Sequence, residues 1–209
     1  MARDPGRFWG FVFVHAVRDR GRVREIVGRA ALDWGFRGIK VHRRDAPLTP
    51  EVCDAARAFG LPVIYDIVDE VASVDEFARR YPDVAFVVPH LGSFADDAGA
   101  QSAFIERLAG HPNVLTDTSG VRHFDLMRRA VERCGAGKIL FGTDGPWLHP
   151  GVELFKVRAL GLPPVEEERV LGRNLLGLLG RAGRAPRGEA PGPAPVSASA
   201  SVGVPGPGA

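Results

Sequence analysis

Apolar residues in this chain fall into short unbroken runs, and six of those runs end on a polar or ionisable residue at the head of a loop. The clearest are Phe86-Val87-Val88-Pro89-His90-Leu91-Gly92 and Ile139-Leu140-Phe141-Gly142-Thr143-Asp144-Gly145; the others end at His15, His42, Asp66 and Asp117. Successive end residues lie 27, 24, 24, 27 and 27 positions apart. Such an interval accommodates one strand, one helix and two loops. Unbroken apolar runs of this length suit strands buried on both faces of a parallel sheet. Parallel pairing requires a crossover between strands, commonly a helix, and it brings every strand C-terminus to one rim. That rim is where α/β barrels and open α/β sheets carry their chemistry.

The elements follow from this rhythm and its punctuation. Phe8 to Val14 reads as the first strand, and Arg20 to Trp34 as a helix with Val23, Ile26, Val27 and Ala30 on one face, ended by Gly35. Gly38 to His42 is the second strand. Thr49 is the expected N-cap of the next helix, with Pro50 at its first position and Gly60 after its last. Leu61 to Tyr65 is the third strand. Ser73 and Glu76 have the spacing of a capping box on a helix that ends at Arg80. Val84 to Val88 is a strand, residues 97–109 a helix, Asn113 to Thr116 a strand, residues 123–134 a helix and Ile139 to Phe141 the sixth strand. Helices over Pro150 to Leu160, Pro164 to Leu171 and Asn174 to Leu179 complete the pattern. From Ala182 onward the chain is rich in Pro, Gly, Ala and Ser and has no aromatic residue, which predicts a disordered tail over 182–209. Residues 1–181 form the expected domain.

Composition narrows the class. With 209 residues, 45% hydrophobic and 25% charged, the chain can bury one sizeable core. Its formal net charge is +2, and its arginines are scattered rather than interleaved with aromatics in a stripe. Nucleic-acid binding is therefore not expected. No apolar stretch reaches roughly 18 residues, so no membrane span is expected. The N-terminus lacks the apolar core of a signal peptide, which predicts a cytoplasmic protein. Cys53 and Cys134 sit in helix-like segments and read as reduced packing residues. The abundance of Arg, Ala, Gly and Pro fits a GC-rich bacterial genome.

The rim carries His15, His42, Asp66, His90, Asp117 and Asp144. Strand alternation sets Lys40 beneath His42, Ile64 beneath Asp66, Val88 beneath His90 and Gly142 beneath Asp144. Three imidazoles and three carboxylates allow two chemistries. They could hold a divalent metal whose bound water becomes a nucleophile, or perform general acid–base catalysis without one. His15 reads as a strand-end histidine bonding a backbone carbonyl, and Asp117, which begins Asp-Thr-Ser-Gly, as a turn-capping carboxylate. Asp66 closes a buried strand and so needs a partner. His90 and Asp144 are the strongest catalytic candidates. Trp147 stands beside Asp144 as a pocket wall or a packing residue. His111, His123 and His149 read as surface residues.

Three segments together resemble the amidohydrolase-related family of metal-dependent hydrolases and decarboxylases. They are Trp34-Gly35-Phe36-Arg37-Gly38-Ile39-Lys40-Val41-His42; Tyr81-Pro82-Asp83 leading to Pro89-His90-Leu91-Gly92; and Ile139-Leu140-Phe141-Gly142-Thr143-Asp144-Gly145-Pro146. Leu171-Gly172-Arg173-Asn174-Leu175-Leu176 is similar to the family's C-terminal helix. The resemblance runs from about Phe8 to Leu179. It implies a distorted (β/α)8 TIM-like barrel, here a partial one with about six β/α units. It assigns Asp144 to metal binding or to the proton of the attacking water, and His90 to catalytic acid–base work or metal ligation. Asp66 falls where many members carry a histidine ligand.

The resemblance implies a zinc or manganese ion held by Asp144, His90 and Asp66, with Lys40, His42 and Trp147 against a small-molecule substrate. The reaction it implies is hydrolysis of a small organic acid, amide or lactone. Non-oxidative decarboxylation is the alternative, and a ligand-binding or catalytically impaired protein a third reading. The family's His-x-His appears nowhere in this chain. The matched segments correspond to strands three to eight, leaving edge strands through which a homo-oligomer could form.

Overall fold

A computed structural model describes residues 7–181. Its centre is a six-stranded sheet in the order β1-β2-β3-β4-β5-β6. The strands are β1 (Phe11–Phe13), β2 (Gly38–His42), β3 (Val63–Asp66), β4 (Phe86–Val88), β5 (Val114–Asp117) and β6 (Ile139–Leu140). Every neighbouring pair is parallel. The crossovers are α1 (Val23–Leu32), α2 (Pro50–Phe59), α3 (Ser73–Arg80), α4 (Ala98–Gly110) and α5 (Phe124–Cys134). After β6 come α6 (Pro150–Ala159), α7 (Pro164–Glu168), a π-helical turn (Arg169–Arg173) and α8 (Asn174–Arg181). The α/β class and the six units expected from the sequence are those observed. The predicted tail over 182–209 lies outside the described residues.

Alternation of side chains decides where the core sits. Val12, Val14, Ile39, Val41, Val63, Tyr65, Phe86, Val88, Val114 and Ile139 are buried and join residues of the helices in one cluster. On the opposite face, Phe13 is 47% exposed, and Lys40, Ile64 and Leu115 are only half-buried. The helices therefore cover one side of the sheet, and the other side faces inward on a partial barrel. β1 pairs only with β2 and β6 only with β5, so among the described residues both outer strands keep an unpaired edge.

Local expectations need three corrections. Thr49 is extended before α2, but its side chain makes no capping bond, and its Oγ1 is buried without a partner. The Ser73–Glu76 capping box does not form: Ser73 is already helical, and its Oγ donates to the Glu70 carbonyl at 2.7 Å. The acidic residues of that first turn remain near the helix N-terminus, where they favour it electrostatically. His111 is not a surface residue. It is 9% exposed, and its Nε2 lies 2.6 Å from Asp75 Oδ1. Its ring is drawn into the packing of α4 against α3, which the sequence pattern did not signal.

The strand ends also depart from simple alternation. β4 stops at Val88, and His90 and Leu91 then take φ values of 60° and 51°. Asp144 lies beyond β6 with φ 47°. Left-handed backbone is costly for residues with a Cβ and tends to cluster at functional sites. His90 therefore leaves the alternation that would stack it over Val88: Val88 packs in the core, while His90 sits on the turn that follows the strand.

Candidate active site

A cavity of about 500 Å³ opens at the C-terminal ends of the strands, lined by Lys40, His42, Arg44, Asp66, Val68, Asp69, His90, Phe94, Ala95, Asp144 and Trp147. All six side chains expected to act, Lys40, His42, Asp66, His90, Asp144 and Trp147, meet there. His15 and Asp117 are not among its lining residues. Among the described residues His15 bonds no carbonyl through its ring; its Nδ1 accepts the Arg18 N–H at 3.2 Å and its backbone N–H donates to Asp19 Oδ2.

Asp66 holds the centre. The β2–β3 register sets it directly beside His42. It is 8% exposed, and its Oδ1 accepts the Val68 N–H at 3.1 Å. Its Oδ2 lies 3.3 Å from His42 Nε2 and 3.7 Å from His90 Nε2. These are the partners a buried carboxylate requires. His42 Nδ1 accepts the Arg44 N–H at 3.2 Å, so the proton of the neutral ring sits on Nε2, facing Asp66.

His90 is the most constrained side chain of the site, at 6% exposed. Its N–H donates to Asp117 Oδ1 at 3.1 Å. Its Nδ1 lies 2.9 Å from both the carbonyl and the hydroxyl oxygen of Ser119. That hydroxyl donates to Asp117 Oδ1 at 2.6 Å. A carbonyl oxygen can only accept, so Nδ1 carries the proton, and the lone pair of the neutral ring is at Nε2, toward Asp66. Gln101, fully buried, donates from Nε2 to the carbonyls of His90 and Ser93. Phe94 meets the imidazole edge-on, with ring centroids 4.9 Å apart.

Lys40 lies one layer below, on the same face of β2 as His42. Burial lowers its pKa from the ordinary 10.5, while Asp66, Asp117 and Asp144 partly restore it. Trp147 is 84% exposed, so it stands at the cavity mouth rather than in the core. Ser119, Gln101, Phe94 and Arg44 were not predicted to act. Ser119 belongs to the Asp-Thr-Ser-Gly turn already read as structural, and the pairing of that turn with His90 spans 29 positions. No local pattern encodes it.

The fold and this rim define an α/β-barrel-type protein with a cluster of ionisable side chains at its strand ends. A family model described as Amidohydrolase matches residues 1–181, and the chain belongs to that family. No curated protein matches it. Among solved structures it is similar to 5-carboxyvanillate decarboxylase from Sphingomonas paucimobilis, with TM-score 0.66 and 19% identity, covering 86% of this chain and 68% of that one. It is also similar to a dihydroxybenzoic acid decarboxylase from Polaromonas sp. JS666 with bound manganese and 2-nitroresorcinol (TM-score 0.64, 17% identity, 86% and 71% covered). An amidohydrolase from Burkholderia multivorans with bound zinc is a third such structure (TM-score 0.65, 17% identity, 86% and 76% covered). At these identities the likeness shows the fold.

Metal ligation can be tested on the donors present. Among the described residues, no group of three or more His, Cys, Asp or Glu side chains is placed to hold an ion. The expected set of Asp144, His90 and Asp66 shares the cavity without forming such a group. Asp66 is engaged by His42 and a backbone amide, whereas His90, with Nδ1 held by Ser119, keeps its Nε2 lone pair in the cavity. The described residues by themselves do not assemble a complete set of metal ligands. Among them, too, no helix is long and apolar enough to cross a membrane.

Proposed function

We propose that the protein hydrolyses a small organic acid, amide or lactone by acid–base catalysis, with His90 Nε2 as the proton carrier. The observation that supports this is the fixed state of His90: Nδ1 is held by an acceptor-only carbonyl, while Nε2 stands in the cavity 3.7 Å from Asp66. His90 Nε2 takes a proton from water as the water oxygen bonds to the substrate carbonyl carbon. Asp66 stabilises the imidazolium that results. The proton then passes to the leaving nitrogen or oxygen as its bond to carbon breaks. Asp144 lines the same cavity and orients the attacking water. Lys40 and Arg44 hold a substrate carboxylate. His42, with both ring nitrogens already engaged, orients Asp66 rather than touching substrate.

The runner-up is non-oxidative decarboxylation. Phe94 and Trp147, 47% and 84% exposed at the cavity, offer faces for a planar ring. His90, first protonated by solvent to the imidazolium, would then deliver its Nε2 proton to the ring carbon as the bond to the carboxylate breaks and CO₂ departs, leaving the neutral Nδ1–H ring. A panel of lactones, amides and carboxylated aromatics, assayed for acid product and for released CO₂, separates the two. His90→Asn and Asp144→Ala should each lower turnover by ~10²–10⁴. Full activity in either variant would sink the assignment.

A further inference from the structure

The Ser119 carbonyl that fixes His90 belongs to the same peptide unit as the Gly120 N–H. That N–H points away from the imidazole and donates to Glu153 Oε2 at 3.1 Å. Glu153 lies on α6, is 4% exposed, and pairs with Lys156 Nζ at 2.7 Å. Lys156 in turn donates to the carbonyls of Val121 at 2.9 Å and Thr118 at 3.4 Å. Both charges therefore spend their bonding capacity on the backbone that flanks Ser119.

A buried ion pair carries a desolvation cost and is weak evidence for stability alone. Here it has a specific geometric consequence. Gly120 has φ +69°, and a glycine in that region lets the preceding peptide rotate at little cost. Rotation of the 119–120 peptide would turn the carbonyl away from His90 and present the Gly120 N–H to Nδ1 instead. Nδ1 would then have to accept, and the proton would move to Nε2, removing the lone pair from the cavity. A carboxylate on the far side of the peptide opposes that rotation. It also polarises the unit, strengthening the carbonyl as an acceptor.

We infer that Glu153, braced by Lys156, is a positioning residue for His90, acting through one peptide unit to hold the imidazole in its Nδ1–H form. The proposal deepens the reading of His90 as the proton carrier and rests on it for its catalytic meaning. Its test does not require turnover. Side-chain ¹⁵N spectra of the full chain, recorded in alkaline solution where imidazoles are neutral, report the tautomer of each histidine; His90→Asn assigns the signal.

The wild type should show His90 with Nδ1 protonated. Glu153→Ala/Lys156→Met should show both tautomers, while its thermal melt remains cooperative. Glu153→Gln, which still accepts from Gly120, should restore the single form. A wild-type His90 protonated at Nε2 overturns the inference, and that measurement stands even if the double variant does not fold. A folded double variant with an unchanged tautomer also overturns it. If His90→Asn keeps full activity, the functional reading fails while the tautomer result stands by itself.

Discussion

Gly142 provides a sharp test of how the site is packed. A Cβ built there would stand 2.8 Å from Asp117 Cγ and 3.1 Å from its Cβ and Oδ1. Ordinary contact begins near 3.4 Å, so Gly142→Ala must push the carboxyl group by about 0.6 Å. Asp117 Oδ1 holds the His90 N–H at 3.1 Å, and a displacement of that size along the bond stretches it to about 3.7 Å, past hydrogen-bonding range. Overpacking of this kind costs ~1–3 kcal/mol. The lower entropy of the unfolded alanine chain returns ~0.4–1 kcal/mol. With ~2–4 °C per kcal/mol for a domain of this size, the mid-range net of ~1.3 kcal/mol should lower Tm by ~3–5 °C, and at most by ~10 °C. Gly137→Ala is the control: nothing lies within 4 Å of its Cβ position, and its Tm should hold or rise slightly. Thermal unfolding of the two variants side by side is the assay, with the amide signals of His90 and Ser119 followed by NMR. Equal melting temperatures and unmoved amides would refute the packing argument.

Two further outcomes follow from buried polar groups. Because burial lowers the pKa of Lys40, the folded chain binds its proton less tightly than the unfolded chain does. Stability should therefore rise with pH between the folded pKa and the ordinary 10.5, the cost being fully present below that window. Lys40→Met should raise Tm at neutral pH and flatten the alkaline rise, while weakening binding of carboxylate ligands in titration calorimetry; a lower neutral Tm would contradict it. Asn113 Nδ2 donates to the carbonyls of Ala78, Tyr81 and Val84 at 3.0–3.1 Å. Asn113→Ala should cost ~1–3 kcal/mol in urea unfolding by leaving carbonyls unpaired, and a loss near zero would show that water replaces the amide.

Some of this was legible locally. β2 and α3 fall on the predicted residues, because glycine, proline and apolar runs punctuate the chain at the spacing of strand–helix units. The cap of α2 was misread because Thr49 Oγ1 is turned into the interior, away from the free amides. The convergence of Lys40, His42, Asp66, His90 and Asp144 was legible as well, since a parallel sheet must bring its strand ends together.

The sequence by itself determined the α/β class, the six-unit order and the rim on which the ionisable residues gather. Those follow from periodicity and chain direction, which are local properties. Only the tertiary structure decided that His90 and Asp144 stand on left-handed turns, that Asp66 is engaged by His42, and that the Ser119 carbonyl fixes the His90 proton. It also decided that a carboxylate on α6, 33 positions beyond Gly120, grips the peptide in between. Such contacts are set by the packing of whole elements against one another, and a carbonyl's aim leaves no mark on residue type.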